Sequence, residues 1–233
     1  MTIEITTKTK IDENLEFDDI FITWLPNQEK EEIFNKVKDI FLLGKNPIPH
    51  IPAKKIKSRE QAYQISNELS KYCTKVLLIG GSGIRTGIFS TVEDLVQTGA
   101  FDNFQIGVAG FPEGNGKLSY KESLKILNTK STYANFVVTQ FSLNKKSIKR
   151  FLDNSPIPVY LGIPNKCSIK KLIKFAKLCG VENSIKHILN NPINMIRFIL
   201  GFNPKYIISN NNYKNHKNLI SFHLYSFGNT KKI

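Results

Sequence analysis

The sequence has few cysteines, and this scarcity excludes several kinds of site. Three are present, Cys73, Cys167 and Cys179, widely spaced and without a Cys-x-x-Cys pair. We therefore predict ordinary reduced thiols rather than a disulfide framework or a zinc site. No apolar run approaches the roughly 18 residues that a membrane-spanning helix needs, and the first residues lack a basic segment followed by a long apolar one. These absences predict a cytoplasmic protein that does not enter a membrane.

Several catalytic patterns are also missing. The stretch from Gly81 to Gly83 does not have the spacing of a Gly-x-Ser-x-Gly nucleophile elbow. It is a poor dinucleotide fingerprint as well, because Thr86 stands where the third glycine is required. The ends of the predicted strands carry neither a Cys/His cluster nor a pair of carboxylates. This argues against metal-dependent hydrolysis and glycoside hydrolysis, and no metal ligand is predicted.

Acidic residues are scarce relative to basic ones. The chain has 33 Lys and Arg against 19 Asp and Glu, which gives a formal net charge of +14. A solvated, lysine-rich surface is the first interpretation, and attraction of an anionic substrate or cofactor is the second. Nucleic acid is a distant third, because the basic residues are mostly single lysines on predicted helices rather than an arginine and aromatic stripe.

Strand-like segments alternate with helical patterns along the chain. Eight runs have strand character, with β-branched residues, alternation or Pro/Gly boundaries: 3–7, 20–25, 47–51, 76–79, the run beginning at 105, 135–139, 158–163 and 220–225. Helices are predicted between 27 and 44 and at 59–72, 91–98, 119–128, 147–152, 169–178, 184–189 and 193–200. This alternation favours parallel pairing through right-handed crossovers. Count and length predict a single α/β domain over residues 1–233, a (β/α)8 TIM barrel, with an open doubly wound sheet as the runner-up.

One stretch, Val108–Asn115, begins as an apolar strand and breaks into a Pro/Gly-rich loop with one carboxylate and one amide. A barrel enzyme typically presents its chemistry on such strand ends. The stretch resembles a motif of the methylenetetrahydrofolate reductases. Three further stretches agree with that family in the correct order: Pro49–Ala53, Phe136–Phe141 and Phe175–Gly180. The resemblance is closest to a short branch of the family.

The resemblance implies an oxidoreductase that interconverts 5,10-methylenetetrahydrofolate and 5-methyltetrahydrofolate, in one-carbon metabolism and methionine biosynthesis. Hydride would pass through FAD, with NAD(P)H as the reductant, while the barrel supplies positioning and protonation. The alternative from another functional class is a flavin-free folate-binding protein, or a subunit that needs an electron-donating partner. A homo-oligomer is also compatible with the sequence.

Glu4 is the predicted catalytic residue. It lies within a strand of apolar and β-branched residues, and alternation turns its side chain away from Ile3 and Ile5. A carboxyl group held in an apolar barrel can donate a proton near neutral pH. A glutamate on the outer strand face, or one paired with a lysine, is the competing interpretation. The resembled family carries on its first strand a glutamate proposed as the general acid, and Glu4 matches it.

Gln140 and Glu113 are the predicted substrate-binding residues. Gln140 follows the apolar strand, and its amide can both donate and accept hydrogen bonds, as binding the lactam edge of a pterin requires. A glutamine that caps the next helix is an equal alternative from the residues alone. The resembled family holds the pterin with the glutamine of its Thr-Gln-Phe motif, which Thr139, Gln140 and Phe141 match.

The predicted flavin contacts also follow from the resemblance. They are Thr23, His50, Gly80, Gly81, Phe111, Asn115, Glu122 and Lys130. From the residues alone, His50 is better explained as a core histidine bonded to backbone, whereas the glycines at 80 and 81 would let a phosphate or a flat ring approach the backbone. The chain departs from the longer flavin enzymes at Gly81, Asn115 and Phe111, where they have Asp, His and Tyr. FAD is therefore the less secure of the two ligand predictions.

Overall fold

The computed structural model describes residues 1–11, 13–81, 83–115, 118–179, 181, 202–209 and 211–231. Its eight strands, paired in chain order, form a closed barrel. This arrangement confirms the predicted (β/α)8 fold class. The strands are β1 Thr2–Thr6, β2 Asp19–Thr23, β3 Asn46–Pro52, β4 Lys75–Ile79, β5 Gln105–Gly110, β6 Phe136–Thr139, β7 Val159–Pro164 and β8 Leu219–Tyr225.

Helices alternate with these strands. They are α1 Lys30–Leu42, α2 Arg59–Leu69, α3 Val92–Val96, α4 Tyr120–Lys130, α5 Lys145–Asn154, α6 Ile169–Cys179, α7 Lys205–Ile208 and α8 Asn211–Lys214, with a 3-10 turn at Ala53–Lys55. The helices predicted at 184–189 and 193–200 lie outside the described residues. Within the described part of the chain, no helix is both long and apolar enough to cross a membrane.

Short polar side chains determine where several helices begin. Thr91 and Ser119 each accept a hydrogen bond from the backbone N–H three residues later and complete capping boxes at the starts of α3 and α4. The Asn144 side chain accepts from two backbone N–H groups at the start of α5. These bonds satisfy amides that have no partner within the helix. Each cap therefore also fixes how the preceding strand-end loop enters its helix.

The chain contacts divide into two compact units, which we describe separately. The first unit comprises Thr2–Ala109 with Tyr133–Phe136. The second comprises Gly110–Thr132 with Val137–Ile233, and Met1. In the first unit, parallel pairing joins β1 to β2, β2 to β3, β3 to β4 and β4 to β5. In the second, β6 pairs with β7 and β7 with β8. The prediction of one domain over 1–233 stays a prediction.

One face of the first unit combines large aromatic rings with a glycine. Leu77 on β4 is opposite Gly107 on β5, and the ring of Phe136 fills the space above that glycine. Phe21 packs edge-on against Phe136, with ring centroids 6.5 Å apart. Both rings are nearly inaccessible to solvent. The missing side chain at position 107 is therefore what allows the Phe136 ring to lie against the sheet.

Gly107→Ala should destabilise the fold by about 1–3 kcal/mol, the usual effect of overfilling a packed core. An added Cβ would lie 2.2 Å from the Phe136 ring. The free energy of unfolding in urea measures this effect. Gly80→Ala is the matched control, because a Cβ there meets nothing within 4 Å and its effect should stay within about 0.5 kcal/mol. Equal effects of the two substitutions would contradict this account of the core.

Candidate functional site

In the first unit, the predicted catalytic carboxylate lies beside a histidine. Glu4 on β1 is in register with Phe21 on β2, which is in register with Ile48 on β3. His50 lies two residues further along β3, so its side chain shares the face of Glu4. The Nε2 atom of His50 is 3.5 Å from the Oε2 atom of Glu4, and the two side chains are only 7% and 16% exposed. The structure thus brings Glu4 and His50 together as a largely buried pair.

One aromatic ring packs against this pair. The ring of Phe21 meets the imidazole of His50 edge-on, with centroids 6.3 Å apart. Ile3 and Ile5, the neighbours of Glu4 in β1, are buried on the opposite face of the strand. The low exposure of Glu4 and His50 limits the access of bulk water to the pair. The sequence alone indicated each residue separately and did not indicate their contact.

Thr23, at the end of β2, donates its hydroxyl to the carbonyl of Ile5, with 3.0 Å between oxygens. The following loop is held by Lys55, whose Nζ donates to the carbonyls of Leu25, Pro26 and Gln28. Burial lowers the pKa of Lys55, a shift that Glu29 and Glu32 partly oppose. The loop after β2 is therefore anchored to the segment after β3. The ammonium group of Lys55 is engaged by these backbone carbonyls.

Gly80 and Gly81 differ in the space that they leave. A Cβ on Gly80 would meet nothing within 4 Å, so a ligand has access to the backbone there. Gly81 has φ +86°, and its Cβ would lie 3.0 Å from Cβ of Pro52. The backbone conformation and the proline both disfavour a side chain at 81. The carboxylate that the resembled flavin enzymes place here is thus absent, and the described residues at this position do not fit that flavin site.

In the second unit, Gly114 and Asn115 contact Leu118 in the loop after β5. Gly114 has φ +81°, and a Cβ there would lie 2.2 Å from the carbonyl oxygen of Leu118. Asn115 donates its backbone N–H to that same carbonyl and accepts the N–H of Leu118 on its side-chain oxygen. The Asn115 side chain, predicted as a cofactor contact, therefore helps to close the loop. Phe111, at the start of this loop, is partly exposed.

Glu113 connects the loop after β5 to the loop after β6. Its carboxylate accepts a hydrogen bond from the hydroxyl of Ser142. Ser142 is fully buried. Ser142 Oγ also accepts the backbone N–H of Asn144, at 3.2 Å. On the outer side of the same loop, Arg150 lies over the ring of Tyr120, 3.7 Å from its centroid, and donates to the carbonyl of Pro112. The loop that carries Glu113 is therefore held from two sides.

Gln140 immediately follows β6 and is bonded on its backbone and its side chain. Its N–H donates to the carbonyl of Gly110 at 2.8 Å, and its side-chain oxygen accepts the N–H of Phe141 at 3.2 Å. Thr139, just before it, is fully buried. The structure records no protein partner for the Gln140 Nε2 group among the described residues. The side-chain amide is thus oriented by its neighbour and keeps a donor for a ligand.

Glu122 and Lys130 are not brought together. They lie in the first and last turns of α4, about 12 Å apart along the helix axis. The Glu122 carboxylate accepts the N–H of Ser119 at 2.7 Å in a capping box, and these hydrogen bonds lower its pKa. Their assignment to a flavin nucleotide stays a prediction that no contact in the structure supports.

The described thiols are not activated. Burial raises the pKa of Cys73 to about 12 and that of Cys167 to about 11, so both stay protonated at neutral pH. No group of three or more His, Cys, Asp or Glu residues with the arrangement of a metal site occurs within the described ranges. These side chains therefore offer no nucleophile or metal centre beside the groups described above.

A family model for methylenetetrahydrofolate reductase matches residues 85–197. Over this segment the chain is similar to the methylenetetrahydrofolate reductase family. The match confirms the predicted recognition, and it contains the loop after β5 and the Thr139–Phe141 motif. It does not extend to Glu4, Thr23, His50, Gly80 or Gly81. The match therefore bears most directly on the predicted folate-binding residues of the second unit.

Two solved structures are similar to this chain to different degrees. A protein from Clostridium thermocellum that binds two copies of 5-methyl-5,6,7,8-tetrahydrofolic acid has a TM-score of 0.63 and 16% identity, over 96% of this chain and 87% of that chain. The 4-hydroxy-tetrahydrodipicolinate synthase of the thermoacidophilic methanotroph Methylacidiphilum fumariolicum SolV has a TM-score of 0.45 and 14% identity, over 77% and 65%. The likeness to the Clostridium thermocellum protein shows that the two chains share a fold.

Three residues beside the predicted site were not singled out from the sequence. Ser142 bonds to Glu113, Gly162 donates its N–H to the hydroxyl of Thr139, and Tyr225 donates its hydroxyl to the carbonyl of Thr139. An isolated glycine within a strand indicates close backbone approach, so Gly162 had a usable signal. Tyr225 was recognisable as the end of the predicted strand at 220–225, although not as a partner of Thr139. Ser142 had no signal, because its partner Glu113 is distant in the sequence.

Ser142→Ala should lower the free energy of unfolding by about 1–3 kcal/mol, since it removes a buried bond to a carboxylate. Urea denaturation measures the change. Ser123→Ala is the matched control, because the buried Ser123 hydroxyl has no hydrogen-bond partner in the described structure and its loss should be neutral or stabilising. If both serines proved equally dispensable, the Glu113 bond would not hold the loop.

Proposed function

We propose that this protein binds a reduced folate and takes part in the interconversion of 5,10-methylenetetrahydrofolate and 5-methyltetrahydrofolate. The observation that carries the proposal is the placement of Gln140 within the matched part of the chain. Its backbone is bonded to Gly110 and its side-chain oxygen to the next N–H. A fixed amide with a remaining donor suits the lactam edge of a pterin.

The fold neighbour from Clostridium thermocellum supports a folate ligand, because that protein binds 5-methyl-5,6,7,8-tetrahydrofolic acid. The net charge of +14 is consistent with attraction of the anionic tail of a folate. Neither observation identifies the reaction. The proposed reaction rests instead on residues of the first unit that could donate or accept a proton.

Glu4 is the proposed proton donor. Conversion of a methylene bridge into a methyl group breaks a carbon–nitrogen bond of a five-membered ring, and the leaving nitrogen must gain a proton. A positioned acid contributes about 10²–10⁴-fold to such a step. The neighbouring His50, 3.5 Å from the Glu4 carboxylate, restricts the orientation of that carboxylate. In the reverse direction the same carboxylate would accept the proton.

A flavin-free folate-binding protein, or a subunit that receives electrons from a partner, is the second candidate. Gly81 favours it, because the family carboxylate is absent there and Pro52 occupies the space beside the position. The chain would then keep the folate site and lack the polar contact that positions a flavin. Both candidates predict folate binding, and they differ in whether FAD binds.

Saturating 5-methyltetrahydrofolate should raise the thermal stability, by about 2.7 kcal/mol at a hundred times the Kd. Differential scanning fluorimetry under anaerobic conditions measures this. The control is p-aminobenzoylglutamate, which carries the anionic tail without the pterin and should stabilise far less. Absence of any folate effect would contradict the proposal. FAD that stabilises the protein and gives a flavin absorbance spectrum supports the enzyme, whereas no response to FAD supports the second candidate.

Glu4→Gln should lower folate turnover by about 10²–10⁴-fold while leaving the Kd for 5-methyltetrahydrofolate nearly unchanged, because the amide keeps the shape but cannot donate the proton. Turnover is measured anaerobically with FAD and a reduced nicotinamide nucleotide, and the Kd by calorimetry. Glu113→Gln is the matched control and should affect turnover much less. The opposite ranking of the two variants would assign the proton donor to Glu113.

A further inference from the structure

The end of β8 reaches over β7 to contact β6. The hydroxyl of Tyr225 donates to the carbonyl of Thr139 at 2.9 Å, although β7 lies between the two strands in the sheet order. Tyr225 is paired in register with Pro164 on β7. A side chain from β8 therefore satisfies a backbone acceptor two strands away.

Gly162 makes this crossing possible. A Cβ at position 162 would lie 2.1 Å from the Thr139 carbonyl oxygen and 2.8 Å from Cε2 of Tyr225. Any side chain there would occupy the path of the tyrosine ring. The N–H of Gly162 also donates to the Thr139 hydroxyl at 2.8 Å. One glycine thus opens the passage and holds the threonine that the tyrosine reaches.

Both neighbours of Gln140 contact Tyr225. Thr139 accepts the tyrosine hydroxyl, and the ring of Phe141 packs edge-on against the tyrosine ring, with centroids 5.9 Å apart. Thr139 and Phe141 are fully buried. Since the peptide group before Gln140 and the side chain of the residue after it are both held, the direction in which the Gln140 side chain leaves the backbone is restricted.

We propose that Tyr225 is a positioning residue for Gln140, and through it a determinant of affinity for the pterin of a reduced folate. This inference rests on the proposed function for the identity of the ligand, but not for the positioning itself. Tyr225 acts through the Thr139 carbonyl, to which its hydroxyl donates, and through the Phe141 ring. A pre-oriented amide loses less freedom on binding, which increases affinity.

The variant that tests the proposal is Tyr225→Phe, which keeps the ring and removes one hydroxyl. The buried Thr139 carbonyl then loses a partner, and the Kd for 5-methyltetrahydrofolate should rise about three- to tenfold, the equivalent of one hydrogen bond. Tyr213→Phe is the matched control. The Tyr213 hydroxyl also donates to a backbone carbonyl, that of Lys145 at 3.0 Å. The Tyr213 side chain is buried, whereas that of Tyr225 is half-buried. Loss of the Tyr213 hydroxyl should change the Kd less than twofold.

A double-mutant cycle with Gln140→Ala separates positioning from a general structural effect. If Tyr225 acts through Gln140, Tyr225→Phe should have little further effect on the Kd once Gln140 is alanine. Calorimetric titration with 5-methyltetrahydrofolate measures all four proteins. An unchanged Kd in Tyr225→Phe, or equal effects in both backgrounds, would overturn the proposal.

A readout without ligand keeps the two proposals distinguishable. In the 15N-labelled protein, the side-chain amide signal of Gln140 is identified by its loss in Gln140→Ala. Tyr225→Phe should shift this signal, and Tyr213→Phe should not. If the wild-type protein fails to bind the folate, the proposed function is wrong, and the amide signal alone then decides the positioning role. An unmoved signal in Tyr225→Phe overturns that role.

Discussion

The close approach of neighbouring strands at glycine positions is the constraint on which much of this structure depends. At Gly107 the missing side chain admits the ring of Phe136, and at Gly162 it admits the ring of Tyr225. Protein interiors are packed so densely that one additional methyl group at such a place displaces its neighbours. The large aromatic residues of the sheet can therefore occupy their positions only because specific small residues lie opposite them.

The two groups of predicted functional residues differ in how they are held. Glu4 on β1 and His50 on β3 form a side-chain pair on one face of the sheet. Gln140 and Glu113 are held by backbone bonds and by buried hydroxyls from adjacent loops. A side-chain pair can exchange protons and reorient, whereas a backbone-anchored amide presents one fixed pattern of donors and acceptors. This difference suits proton transfer in the first group and ligand recognition in the second.

The fold could be predicted from local patterns because barrel strands and their helices are continuous segments with strong periodicity. The predicted strand at 158–163, for example, is β7 at Val159–Pro164, and only its bounds moved. The motif around Gln140 was also recognisable, because its residues are consecutive. The partners Tyr225 and Ser142 were not, since each contacts its target across 86 and 29 positions of sequence. Nor did the residues alone reveal that the Asn115 side chain accepts a hydrogen bond from the backbone N–H of Leu118.

The crossing of Tyr225 over Gly162 also restricts which substitutions the sequence can accept. A side chain cannot be accommodated at position 162 while the tyrosine ring lies across it and the Thr139 carbonyl lies 2.1 Å from the new atom. Replacement of Tyr225 by a smaller residue would remove only one of these two obstacles. A larger residue at 162 would therefore require a different path for the end of β6, and with it a different position for Gln140. The residue type at position 162 is consequently coupled to the backbone geometry of a residue 22 positions earlier in the chain.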